Sequence, residues 1–68
     1  MNQLKISIKE LTKMFERNLV DEDYDECYAI LTHINKHHAR DEKGRALFKR
    51  IDDELFQKGI GNSIKLRT

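Results

Sequence analysis

The chain has no proline, no tryptophan, one cysteine and three glycines in 68 residues. Without proline, no position loses its backbone N–H or has φ locked in a way that would break a helix. One cysteine permits neither an intrachain disulfide nor a cysteine-based zinc site, and it suits a reducing compartment. Long apolar runs are missing too. MNQLKISIKE lacks the apolar core of a secretory leader, and nothing approaches the roughly 20 residues that span a bilayer, so a cytoplasmic protein is expected. Neither sign of charge dominates, with 13 Lys and Arg against 12 Asp and Glu. That balance is unlike a strongly basic nucleic-acid binder, although a local basic face remains open. Interspersed charges with 38% apolar content are also unlike a disordered tail. There is no glycine-rich phosphate loop, no repeat and no low-complexity linker. The length allows one domain, residues 1–68, that buries only about 60% of its unfolded surface. Stability then depends on good packing or self-association.

What is present is helical periodicity, clearest in Asp21 to Ala39. Tyr24, Cys27, Tyr28, Leu31 and Ile34 follow i, i+3, i+4, i+7 spacing and share one face of a helix over 22–38. Asp21 is placed to cap it. Glu22, Asp23, Asp25 and Glu26 crowd the positive end of its dipole, and Lys36, His37, His38 and Arg40 the negative end. Each well-placed charge contributes about 0.3–1 kcal/mol. Helix-end chemistry accounts for both clusters. The functional alternative is a rod with an acidic and a basic end that orients a partner.

Ser7-Ile8-Lys9-Glu10 is a capping box, with Ile6 and Leu11 at the positions of a hydrophobic staple. It opens a helix over 8–18 whose apolar face is Ile8, Leu11, Met14 and Phe15. Lys9, Lys13 and Arg17 form a basic ridge opposite, the usual sign of a solvated face. Asp41 can cap a third helix over 42–58, with Leu47, Phe48, Ile51 and Leu55 on its apolar face. Gly44 lies one turn earlier on that face and marks either a close helix approach or a frayed first turn, fraying being the expectation. Gly59 and Ile60 are placed to form a Schellman motif. Residues 60–68 read as a flexible or extended tail in which Ile64 and Leu66 alternate with Lys65 and Arg67. Leu4, Ile6 and Ile8 alternate similarly, so the two ends can pair as a ribbon. The expected fold is all-α, a three-helix bundle with short extended ends. Its core is Ile8, Leu11, Phe15, Tyr24, Cys27, Leu31, Ile34, Leu47, Ile51 and Leu55.

Candidate chemistry is sparse. His33 and His37 have the i, i+4 spacing of a metal pair, but Glu26 is too far along the axis to complete a site, and no metal or other cofactor is expected. Both histidines read as surface residues, and His38, near the apolar stripe, as a packed and hydrogen-bonded one. Any of the three can make an interaction pH-sensitive. Cys27 reads as a small buried hydrophobe with acids for neighbours, so no catalytic cysteine–histidine pair is expected. Asp52, Asp53 and Glu54 point about 100° apart on a helix and cannot converge on one substrate. No ribbon–helix–helix or helix–turn–helix pattern is present, because Leu19-Val20-Asp21 contains no glycine.

These features lead to a small non-enzymatic regulator or inhibitor that binds another protein, a size that would suit a phage or plasmid modulator. Its expected contact residues are Phe56, Ile30, Ile64 and Leu66, which lie outside the assigned core, with Asp52 and Asp53 beside them. The alternative is a nucleic-acid-binding regulator, acting as a dimer. It would use the basic series Lys36, Arg40, Lys43, Arg45, Lys49 and Arg50 around the second joint. That series is interrupted by Asp41 and Glu42 and has no accompanying RNA-binding aromatic motif. A homodimer fits either reading, since a second copy can cover Phe56. No membrane contact is expected.

Overall fold

Ser7 starts the first helix as its capping box predicts. Its Oγ accepts the Glu10 N–H at 3.2 Å, and α1 then runs Ile8–Asp21. The structure is a computed structural model that describes residues 5–67. Leu4, and with it part of the alternating N-terminal stretch, lies outside the described residues. The second and third helices are α2, Tyr24–His37, and α3, Glu42–Gln57. No strand occurs among the described residues, so Lys5 to Ser7 and the C-terminal segment do not pair as a ribbon. The architecture is an all-α three-helix bundle in which each helix packs on the other two. Among the described residues, no helix is long and apolar enough to cross a membrane.

The first joint corrects the sequence reading. Helix α1 continues three residues past Asn18, because Leu19 still packs on the core. It ends where Glu22 takes a left-handed conformation, φ 57°. The Glu22 N–H then donates to Leu19 O at 3.3 Å and the Asp23 N–H to Asn18 O at 2.9 Å. This is a Schellman closure without glycine. Asp23, not Asp21, therefore caps α2, its Oδ1 accepting the Glu26 N–H at 3.4 Å. The other caps fall where expected. Asp41 Oδ1 accepts the Lys43 N–H at 3.0 Å. Gly59, φ 75°, donates to Phe56 O while Ile60 donates to Leu55 O, both at 3.0 Å.

The core comprises Leu11, Phe15, Cys27, Ile30, Leu31, Ile34, Leu47, Phe48, Ile51 and Leu55. Ile8 and Tyr24, expected within it, sit half-buried at its edge. Ile30, expected as an outward contact residue, is only 1% exposed. Helix α2 faces both α1 and α3, so its apolar face must be wider than one stripe. Leu31→Ala, at the middle of that face, should cost about 2–5 kcal/mol.

Gly44 marks a close approach rather than a frayed turn. A Cβ there would lie 2.6 Å from both Cβ and O of His38 and 3.3 Å from Ile8 Cδ1. Further along, Arg50 reaches Glu16 at 3.5 Å and lies over the Phe15 ring, 5.2 Å from its centroid. Helices α1 and α3 thus run parallel, residue 8 beside 44 and 16 beside 50. The α1–α2 joint and the end of α3 share one end of the bundle. The end of α2 and the start of α3 form the other.

Candidate functional site

Phe56 is 80% exposed and Val20 83% exposed, with Ile60 at 39%. All three belong to the end where α1 and α3 finish. The first joint brings acid to that end: Asp21, Glu22, Asp23, Asp25 and Glu26 are all exposed there. Lys58 lies 5.8 Å from the Tyr24 ring centroid and ties the end of α3 to the start of α2. Phe56 projects because α3 turns its Leu47, Phe48, Ile51 and Leu55 face inward, and position 56 falls off that face. Asp53 is exposed one turn before it.

The remaining expected contact residues are occupied. Ile64 and Leu66 are half-buried and pack on the core. Asp52 accepts the Asn62 Nδ2–H at 2.8 Å. They belong to an arm, residues 61–67, whose burial alternates as in a strand. The bundle holds this arm by its backbone. Tyr28 Oη donates to Gly61 O at 2.9 Å. Asn35 donates to Lys65 O at 2.8 Å and accepts the Arg67 N–H at 3.0 Å. Arg45 donates to Arg67 O at 2.8 Å. Sequence reasoning missed these residues. The available signal was that Tyr28 and Asn35 stand seven residues apart, on one side of α2.

The basic series divides. Arg45 also donates to Ala39 O at 2.9 Å, so its guanidinium clamps the arm to the second joint. Arg50 is engaged by Glu16 and Phe15. Lys43 and Lys49 are exposed. Lys36, His37, Arg40 and the arm's Arg67 line one open cleft of about 390 Å³ with Asn35 and Ala39. The bundle is therefore dipolar, acidic at the Phe56 end and basic at the other.

The histidines are less superficial than their spacing suggests. His33, expected at the surface, is half-buried, and its Nε2 accepts the Ile6 N–H at 3.0 Å. His38 is buried as expected, 4% exposed, with Nε2 at 2.7 Å from Ile6 O. Burial pushes the His33 pKa down, helped by the charges of His37, His38 and Lys36. Its ring centroid is 4.5 Å from that of His37. Among the described residues, no group of three or more His, Cys, Asp or Glu could hold a metal ion. Cys27 is fully buried. Burial, then Asp23 and Glu26, push its thiol pKa up, the opposite of an activated nucleophile.

No family model matches the chain, no curated protein is significantly similar to it in sequence, and no solved structure is significantly similar in fold.

Proposed function

We propose that this protein is a small non-enzymatic regulator or inhibitor that binds another protein through the Phe56 end of the bundle. The observation that carries this reading is the exposure of Phe56 at the end of the bundle that also holds exposed Val20 and the acidic first joint. An exposed aromatic gains most by entering a partner's pocket, and buried aromatic anchors dominate interface energies. The acids then favour a partner whose pocket is rimmed by Lys or Arg, through steering and register. Asp53 belongs to this surface. Ile30, Ile64, Leu66 and Asp52 do not, because the fold already uses them.

The test compares tagged wild type with Phe56→Ala in bacterial lysate, with and without nuclease, read by mass spectrometry. One protein retained by wild type and lost by Phe56→Ala, with both chains equally stable, is expected. Equal recovery by both would remove this surface from consideration. A nucleic-acid-binding regulator is the second reading, supported by Lys36, Arg40 and Arg67 around one cleft. Recovery that disappears on nuclease treatment, with affinity falling steeply as salt rises, would favour it. Either surface leaves room for a homodimer.

A further inference from the structure

Ile6 is held by two imidazoles from α2 and its end, one on each polar backbone atom. An amide N–H only donates, so His33 Nε2 must be the acceptor and must carry no proton. A carbonyl only accepts, so His38 Nε2 must be the donor. The two halves respond differently to acid. His38 can donate from Nε2 in either protonation state. His33 loses its acceptor on protonation and sets a new N–H against the Ile6 N–H. We propose that this pair is an acid-released latch: His33 holds the N-terminal segment only while neutral, and its protonation frees Ile6 from the groove between α1 and α2.

That groove gives release a consequence. Ile6, Leu11, Met14, Ala29, Ile30 and His33 line a cleft of about 180 Å³. Among the described residues, its lining is aliphatic apart from the imidazole. Ile6 closes one side, so its departure would uncover the edge of an apolar surface belonging to both helices. The latch lies by the second joint and the N-terminal cap, away from the Phe56 end.

The surroundings of His33 set the pH of release. From α2 and its end, His37, His38 and Lys36 oppose a positive charge on it. Helix α1 offers Leu11 and Met14 to the cleft. Its charged residues Lys9, Glu10 and Lys13 are exposed and do not line the cleft. The N-terminal segment offers the Ile6 amide, with Lys5 exposed beside it. Helix α3 reaches this region through Gly44 against His38, and its Lys43 lines a different cleft, with Ile8 and Arg50. Among the described residues, no carboxylate lines the His33 cleft. Both burial and neighbouring charge therefore hold the His33 pKa below the usual value of about 6.5. A depressed pKa means the latch contributes fully above that usual value. Its contribution is lost as pH falls through the lower, folded value.

The experiment is a pH titration of the intact chain by NMR, following the His33 ring resonances and the exchange protection factors of Ile6, Leu31 and Ile51 amides. His33 should titrate below about 6.5. Ile6 protection should fall with the same midpoint, by up to about tenfold per pH unit for one linked proton. Leu31 and Ile51 should stay protected. In His33→Gln, whose side chain does not titrate, the Ile6 response in that range should vanish. Ile6 protection that is flat through the His33 midpoint would overturn the latch. So would a response that persists unchanged in His33→Gln, or loss of core protection in step with Ile6.

Discussion

Gly44 lies so close to His38 that a Cβ on it would stand 2.6 Å from both the Cβ and the carbonyl oxygen of the histidine. That separation is well inside van der Waals contact, and one of the two atoms is backbone. Gly44→Ala should therefore destabilise, although alanine is the better helix former by about 1 kcal/mol. The expected net loss is about 1–3 kcal/mol, the usual cost of overpacking. Urea unfolding of the variant checks it, and a rise in midpoint would contradict the close approach.

Glu22 points the other way. It occupies a left-handed conformation, φ 57°, in which a side chain is strained and glycine is not. Glu22→Gly should stabilise by up to about 1 kcal/mol, read as a higher thermal midpoint. A lower midpoint would mean that the Glu22 side chain contributes more than its backbone strain costs.

Cys27 should be chemically silent in the folded protein. Its sulfur is fully buried, and desolvation with Asp23 and Glu26 holds back the thiolate. Reaction with a chromogenic disulfide reagent near neutral pH should be at least about a hundredfold slower than in denaturant, because it requires opening of the fold. Comparable rates in the two conditions would show that α2 opens locally around Cys27.

Asn35 makes both of its contacts with the arm's backbone, at Lys65 and Arg67. Asn35→Ala should raise amide exchange at Arg67 and loosen residues 64–67, at a cost near 1 kcal/mol because these bonds are solvent-exposed. Tyr28→Phe should loosen only the start of the arm, where its hydroxyl reaches Gly61. Unchanged exchange in both variants would mean that the packing of Ile64 and Leu66, with Arg45 and Asp52, suffices to seat the arm.

Much of this protein was determined locally and was legible in its sequence. The caps at Ser7 and Asp41, the Schellman closure at Gly59 and the inward faces of three helices depend on residues within about four positions of one another. The first joint was the local exception. Leu19 prolongs α1 by packing on the core, and no glycine announced the turn at Glu22. The rest was decided only by tertiary structure. His33 finds Ile6 across 27 positions and His38 finds it across 32. Asn35 meets the arm across 30 and 32. Ile30 is buried because α2 faces two helices, and Gly44 is needed because His38 crosses in front of it. Such pairings are set by how the helices dock, and helical periodicity carries no record of them. The exposure of Phe56 follows from its position off the inward face of α3, which the sequence shows. Val20 and the acidic joint share the Phe56 end only because α1 and α3 run parallel.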